Sequence, residues 1–375
     1  MIFQIDSTTL SKVLQAHMRT LSKVLFSPIL FKIDNKNLQV FSTDHEVFLY
    51  SDLNLDENHI NCTQNNGMFT AVFESQILFE MMKVIPQGPI TFKFEKGICE
   101  VQYANGKYRI PYTDDESVFE TPSKLADDYQ SFVLPKVQLA QIIPSLTPFV
   151  STDELRPAMT GFHVNLTSEY IDLATSNMRS MGLSRISNHS DVTGCLTASQ
   201  KTIQILSLFL KEKDDSTDVS FSFDAKNVVI LSGKNRMVAK TIDGKFPNYN
   251  FLIKDYPKYW DIDKNGFLTS LNRCLVFANL ANQVVFEAKD GTMTVRGQDN
   301  DLGRASEEFF EVSGNSLEPI VFSLDGQDLC NALRNIPDDV VTIKYTDAQY
   351  PFVLQGTHAD NQPGCIFFMM PMAYT

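Results

Sequence analysis

The chain of 375 residues has no CxxC pair. Its six cysteines, Cys62, Cys99, Cys195, Cys274, Cys330 and Cys365, are scattered. That argues against a zinc site or redox dithiol and fits a reducing compartment. No GxGxxG, Walker A or HExxH pattern occurs, nor a GxSxG elbow. The six histidines form no metal-spaced cluster. Asp214 and Asp215 lie in "KEKDDSTD", which reads as an exposed loop. No run approaches the ~20 apolar residues of a membrane span. "MIFQIDSTTLSK" lacks a basic stretch followed by an apolar one, so no signal peptide is expected. These absences point to a cytoplasmic protein without catalysis, cofactor or metal. Basic residues are also in deficit: 32 against 45 acidic, for a formal charge of −13 and a pI near 4.9. Phosphate contacts need Lys and Arg, so the total disfavours nucleic acid. A total says little, however, about where 32 cations sit.

What is present is apolar substance: 43% of residues, including 28 Phe, enough for two to four domains at this length. A unit recurs three times. "ESQILFEMMKVI" followed by "PITFKFEKGICEVQYANGKYRIPY" reads as a helix and then strands, with Ile90, Phe92 and Phe94 alternating with Thr91, Lys93 and Glu95. Lys96-Gly97 and Asn105-Gly106 are hairpin signals. "ASQKTIQILSLFLKEK" and "LDGQDLCNALRNIP" open the other two copies. Phe79, Ile203 and Leu329 align, with offsets 203−79=124 and 329−203=126. Each copy has an earlier half of the same kind: "TTLSKVLQAHMRTL", "PKVQLAQIIPSL" and "GFLTSLNRCLVFAN", each followed by a hairpin. Pro144 should kink or shorten the second of these helices. A period near 125 residues is too long for a solenoid. It predicts three sequential α+β domains, 1–125, 126–253 and 254–375, joined by the acidic, Pro-containing stretches 113–130 and 254–266.

In the first helix Leu10, Val13, Leu14, Met18 and Leu21 form one stripe. At 3.6 residues per turn, Lys12, Arg19 and Lys23 fall about 200°, 180° and 220° from Leu10. Arg273 likewise turns away from Leu268, Leu271 and Leu275. Lys83, Lys136, Lys201, Lys211, Lys213 and Arg334 lie on other helices. The plainer account is a solvated helix face. The alternative is a shared cationic surface that holds phosphates without reading sequence.

Four stretches carry a family resemblance: "DELRPAMTGFHV" (153–164), "LATSNMRSMGLSR" (173–185), "TIDGKFPNYNFLI" (241–253) and "MMPM" (369–372). In order and spacing, with the threefold repeat, they resemble the bacterial sliding clamps, the beta subunits of DNA polymerase III, over essentially the whole chain. The resemblance implies three clamp-fold domains in a head-to-tail homodimeric ring, antiparallel sheets outside and helices lining the hole. It implies partners: double-stranded DNA, a second copy, the replicative polymerase, a clamp loader and other proteins with clamp-binding motifs. Lys12, Arg19, Lys23, Lys83, Lys136, Lys201, Arg273 and Arg334 would then face DNA. Lys107, Tyr108, Arg109 and Ile110 would meet Leu275, Phe277, Glu307 and Glu308 of the other copy. Glu307 and Glu308 also suit a merely solvated strand edge.

A pocket for partner peptides is implied at Met159, Thr175, Asn177, Arg179, Ser180, Pro247, Phe251, Leu252, Pro351, Phe368, Met370, Pro371 and Met372. Turn chemistry and an ordinary last strand are the plainer uses of Pro247, Thr175, Phe368 and Met370. The apolar tail "CIFFMMPMAYT" (365–375) is expected to run as a strand and then turn toward the second domain, with Met370, Pro371 and Met372 partly exposed. The chain departs from the family at Ser176-Asn177-Met178, where Asp-Gly-His is usual. It departs again at Asn250-Phe251, which lacks an Arg, and at Ala373-Tyr374-Thr375, which replaces a closing Arg-Leu. A less cationic, more aromatic pocket follows. Two rivals stay open: an enzyme of repeated sheets with a site at a domain junction, and a peptide-binding scaffold that does not hold DNA.

Overall fold

The computed structural model describes residues 1–20, 27–34, 37–54, 62–63, 68–212, 215–316, 318–356 and 364–373. The first repeat runs β1 (Ile2–Asp6), α1 (Ser7–His17), β2 (Pro28–Ile33), β3 (Asn37–Thr43), β4 (Val47–Asn54), the two-residue β5 (Cys62–Thr63), β6 (Phe69–Glu74), α2 (Ser75–Val84), β7 (Pro89–Glu95), β8 (Ile98–Tyr103) and β9 (Gly106–Pro111). The second runs β10 (Gln130–Pro135), α3 (Lys136–Leu146), β11 (Gly161–Leu166), β12 (Tyr170–Ser176), β13 (Ser180–Ser187), β14 (Gly194–Ser199), α4 (Gln200–Phe209), β15 (Asp218–Phe223), β16 (Asn227–Ser232) and β17 (Asn235–Lys240). The third runs β18 (Lys258–Asp263), α5 (Lys264–Leu275), β19 (Gln283–Lys289), β20 (Thr292–Asp299), β21 (Arg304–Glu311), the two-residue β22 (Ser313–Gly314), β23 (Ile320–Asp325), α6 (Gly326–Arg334), β24 (Val340–Tyr345), β25 (Phe352–Gly356) and β26 (Cys365–Met369). Apart from β5 and β22, the order strand, helix, four strands, helix, three strands is repeated in all three. This is the period read from the sequence.

Residues 1–137 with 201–241 form one compact unit, and 138–200 with 242–375 another. In the first unit, β5-β1-β7-β8-β9 make one sheet and β10-β15-β16-β17-β4-β3-β2-β6 a second. In the second unit the sheets are β14-β11-β12-β13-β26-β25-β24-β18-β22 and β21-β20-β19-β23. The two long sheets cross the boundaries of the repeats. β17 of the second repeat pairs antiparallel with β4 of the first, Asn235 opposite Ser51 through Ala239 opposite Val47. β26 of the third pairs antiparallel with β13 of the second, Met369 opposite Ser180 through Cys365 opposite Ser184.

Period-two alternation places the cores. In β7, Ile90, Phe92 and Phe94 are buried, and Phe92 stacks on Phe3 at 4.6 Å. In the second unit Trp260, Phe286 and Phe352 each stack on Phe322 in the core beneath α5 and α6. Each such ring contributes about 1.5–3 kcal/mol by leaving water. Three helices begin where an aspartate accepts the free N–H groups of a first turn: Asp6 for Thr8 and Thr9, Asp263 for Gly266, Asp325 for Gln327 and Asp328. The first helix is shorter than its stripe suggested. α1 stops at His17 and a 3-10 turn, Met18–Thr20, follows. The Thr20 hydroxyl donates to the His17 carbonyl at 2.7 Å. Leu21 and Lys23 lie outside the described residues. α3 runs only two residues past Pro144 before a 3-10 turn, Thr147–Phe149.

The Lys96-Gly97 turn has both residues at positive φ (48° and 80°), as a hairpin of that type needs. Asn105-Gly106 is a different turn from the one expected. Tyr103 pairs with Gly106, so Ala104 and Asn105 are central and Gly106 opens β9. A side chain at Gly106 would meet the Tyr103 ring, its Cβ 2.7 Å from the phenol oxygen.

Gly297 on β20 admits α5 in the same manner: a Cβ there would lie 2.0 Å from the Cys274 carbonyl oxygen. Gly297→Ala should cost at least the ~1–3 kcal/mol of an overpacked core. Gly303→Ala should cost about 1 kcal/mol, since Gly303 has a positive φ but open space. Urea midpoints of the two variants check the ranking, and equal midpoints would contradict this packing.

Candidate functional site

Neighbouring residues of the β13–β26 junction face opposite ways. Phe367 enters the main core of the second unit, while Phe368 joins a second apolar cluster. That cluster gathers Ala174, Met181 and Leu183 from β12 and β13, Val353 from β25, and Phe246, Tyr249 and Leu252 from the segment after β17. The segment is pinned from below. Tyr249 donates its hydroxyl to Asp172 Oδ2 at 2.9 Å, and Arg185 donates Nε and Nη2 to the same carboxylate at 2.7 and 2.8 Å. Asp172 is fully buried. Arg185 also lies 3.6 Å over the Tyr170 ring. Its bond to Asp172 raises the guanidinium pKa, and burial raises that of Tyr249. Phe246 stacks parallel on His163 at 4.5 Å, and His163 Nδ1 is 3.1 Å from the Thr197 hydroxyl. The sequence assigned no site role to Asp172, Arg185, Tyr249 or His163. The available signal was a charged residue inside the apolar "YIDLA", paired in register across the hairpin with an arginine.

The expected pocket residues divide by these faces. Leu252 and Phe368 belong to the cluster, Pro247 is exposed, and Phe251 is 65% exposed beside them. Met370 is exposed just past β26, its N–H donating to the Arg179 carbonyl at 2.7 Å. Pro351 is buried immediately before β25. Thr175 and Ser180 are corrected, because alternation turns them to the opposite face. The Thr175 hydroxyl donates to the Leu146 carbonyl at 2.8 Å, and that of Ser180 reaches the Met369 sulfur at 3.1 Å. They support the site from beneath. Asn177 shapes the turn: Oδ1 accepts from the Arg179 and Ser180 N–H groups, and Nδ2 donates to Asp328 at 2.8 Å. Arg179 stands 3.6 Å from Asp325. Met159 is buried in a 3-10 turn, Pro157–Met159. Beyond Met370 the tail returns to the third repeat, contrary to expectation. The Met372 N–H donates to the Ser323 carbonyl at 2.8 Å, and Gln283 Nε2 donates to the Ala373 carbonyl at 2.8 Å. Tyr374 and Thr375 lie outside the described residues.

The helical cations are unequal. Lys12, Arg19 and Arg334 are exposed, and Arg334 donates to the neutral Asn272 at 3.0 Å. Lys83 pairs with Glu80 and Lys201 with Asp44. Lys136 is corrected: it is buried, and its ammonium donates to the Glu212 carbonyl at 2.9 Å, so it presents no charge to solvent. Arg273 is also corrected. It grips Glu308 with two 2.7 Å bonds and so belongs to the β21 edge. That bond lowers the Glu308 carboxyl and raises the Arg273 guanidinium.

On β9, Lys107 and Arg109 are exposed, Tyr108 is half-buried and Ile110 is buried. Both cations lie 3.1 Å from Glu100. Gln102 first, then Lys107 and Arg109, hold the Glu100 carboxyl down to about 2. On β21, Glu307 pairs with Arg296 and Phe309 is 65% exposed, with Leu275 half-buried and Phe277 37% exposed on and after α5. Among the described residues no group of three or more His, Cys, Asp or Glu could hold a metal ion. No helix of theirs is long and apolar enough to cross a membrane.

Repeated half-sheets under paired helices, with strand pairing across repeat boundaries, define the fold of a DNA clamp. Residues 251–372 match the family described as DNA polymerase III beta subunit, C-terminal domain. The beta sliding clamp of Halalkalibacterium halodurans is 20% identical over 337 residues, 87% of each chain. The polymerase beta subunit of Streptococcus pyogenes superposes with a TM-score of 0.87 at 14% identity, covering 100% of both chains. That of Thermotoga maritima gives 0.86 at 17%, again over 100% of both. Residues 251–372 thus belong to the C-terminal domain family of the DNA polymerase III beta subunit, and the chain as a whole has the fold of the beta clamps.

Burial lowers the His163 pKa to about 4, with Asp172 opposing. An unfolded histidine titrates near 6.5. Below that pH the unfolded chain takes up a proton that the folded one refuses, so stability present above ~6.5 is lost as pH falls toward 4. His163→Phe keeps a ring against Phe246 and removes this proton. Its unfolding free energy should fall less steeply between pH 6 and 4.5, by up to ~1.4 kcal/mol per pH unit. Urea titrations across that window measure the slope, and parallel slopes would show that His163 is not held neutral.

Proposed function

We propose that the chain closes with a second copy into a head-to-tail ring around duplex DNA. It slides without reading sequence and tethers the replicative polymerase, a clamp loader and other motif-bearing proteins at the Phe368–Leu252 pocket. It does so in the cytoplasm, without catalysis or cofactor. Its domains are 1–125, 126–253 and 254–375.

The observation that carries this reading is the pairing of half-sheets. A half-sheet ending on β17 meets one ending on β4, and one ending on β26 meets one ending on β13. The corresponding half-sheets end on β9 and β21, and neither strand has a partner on its outer edge among the described residues. Such an edge is a template for another chain. A head-to-tail contact of this kind closes when the rotation is right. The repeat also supplies the register. Asn235 and Gly106 open equivalent strands after their hairpins. Val295 faces Glu308 as Val40 faces Ser51 and Leu173 faces Ser184. Since Asn235 lies opposite Ser51, Gly106 should lie opposite Glu308 of the second copy, and Lys107 opposite Glu307. Lys12, Arg19 and Arg334 are the cations best placed to meet DNA, with Lys83 and Lys201 partly neutralised.

Lys107→Glu should weaken the dimer about fivefold, the ~1 kcal/mol of an exposed ion pair, and adding Glu307→Lys should restore most of it. Sedimentation equilibrium reads both. A double variant no tighter than the single would refute the register, and a wild-type monomer at micromolar concentration would refute the ring. Reversing Lys12 and Arg19 should shorten retention on nicked circular DNA and flatten its salt dependence.

A further inference from the structure

Lys254 follows the exposed Phe251 and Ile253, and its ammonium sits over two rings, 4.8 Å from the centroid of Tyr350 and 5.6 Å from that of Tyr256. Tyr256 is fixed by donating its hydroxyl to the Leu252 carbonyl at 2.9 Å, and its ring packs on the Phe368–Leu252 cluster. Tyr350 is 49% exposed and stands two residues before Phe352, which pairs with Met369. Lys254 and Tyr350 therefore lie at the end of β25 and β26 from which Met370 emerges. The other cation at that end, Arg179, faces the carboxylate of Asp325 at 3.6 Å. Lys254 has only aromatic faces as neighbours of its ammonium among the interactions described, and a cation so held keeps donors free for an anion.

We propose that Lys254 is a specificity-determining residue of the pocket. It receives a carboxylate that flanks the apolar anchors of a docked partner peptide. The inference rests on the proposed peptide pocket and names the chemistry of its occupant: an extended segment with aliphatic and aromatic anchors and an acidic neighbour. The apolar cluster takes the anchors, and Phe251 and Met370 cover them. The two tyrosines spare Lys254 the entropy of ordering a long side chain on contact, which is what usually leaves surface ion pairs weak. The carboxylate can be an Asp or Glu side chain or the C-terminus of the partner.

The probe is a set of fluorescein-labelled decapeptides with two Leu and one Phe at the centre, flanked by Glu or by Gln. Each is made with an amidated end and with a free C-terminus. Fluorescence anisotropy should show the Glu peptide binding the full-length protein about fivefold more tightly than the Gln peptide at low salt, a factor worth ~1 kcal/mol. The ratio should fall toward one in high salt. Lys254→Gln should abolish the ratio, bringing the Glu peptide to the affinity of the Gln peptide in the same variant, and Lys254→Arg should keep it. A preference for the free C-terminus over the amide, lost in the same variant, would assign the carboxylate to the chain end. Equal affinities for all peptides, or a ratio that survives Lys254→Gln, would overturn the inference and leave the pocket standing. No binding of any peptide to the wild-type protein would overturn the pocket itself.

Discussion

The structure turns on one interaction: end strands of half-sheets pair antiparallel across the boundaries of the repeats. An exposed row of N–H and C=O groups is unstable as a surface and specific as a template. Each repeat makes two half-sheets, and one of the two end strands of each lies at a repeat boundary or at the equivalent open edge. β17 with β4 and β26 with β13 pair four of these strands inside the chain. The same strands carry the side chains that make the junctions useful. Pairing Met181 with Phe368 brings the two together on one face, and that face becomes the apolar cluster. The equivalent end strands of the other two half-sheets are β9 and β21, and in the proposed ring they pair with a second copy.

The closed junctions are not interchangeable in their buried chemistry. At β17–β4 the interior is polar. His17 is fully buried between the hydroxyls of Ser42 at 2.7 Å and Ser51 at 3.2 Å, and Ser51 donates on to Asn235 at 2.6 Å. Burial drives the His17 pKa down to about 3. At β13–β26 the corresponding hydroxyl, Ser184, faces Cys365. On the opposite face of that hairpin the Asp172–Arg185 pair holds Tyr249. A buried pair of this kind adds little net stability, but losing one partner costs about 3–5 kcal/mol. Its value is positional: it fixes a segment whose neighbours, Pro247 and Phe251, must stay at the surface.

The repeat, α1 to α6 and most strands were legible in the sequence because they rest on periodicity. Phe92 between Thr91 and Lys93, or Leu10 and Leu14 on one helix face, announce their own burial. The apolar cluster at the β13–β26 junction draws on two residues of the family motifs, Leu252 and Phe368. Which side of a strand a residue takes was not used, although period two dictates it. Thr175 follows Ala174 and must face the other way, so one cannot line what the other lines. Lys136 failed for a different reason. The helical wheel gives an angle but not the neighbouring chain, and here the Glu212 carbonyl captures the ammonium. Asp172 and Tyr249 are 77 residues apart, and no local pattern links them.

The deficit of free cations bears on how such a chain can hold DNA. Of the basic residues first assigned to the helices, Lys136 is buried, Arg273 is spent on Glu308, and Lys83 and Lys201 are paired with carboxylates. A protein that gripped phosphates directly would need those charges free, since each neutralised phosphate adds affinity and salt sensitivity alike. A closed ring has no such need. In the proposed ring the duplex would leave only by an end or by opening of the ring, so retention would be set by the strength of the β9–β21 contact. Weak, exchangeable contacts from Lys12, Arg19 and Arg334 then favour sliding. On that reading the −13 charge of the chain does not conflict with a DNA partner, because the paired strand edges, not the cations, would do the holding.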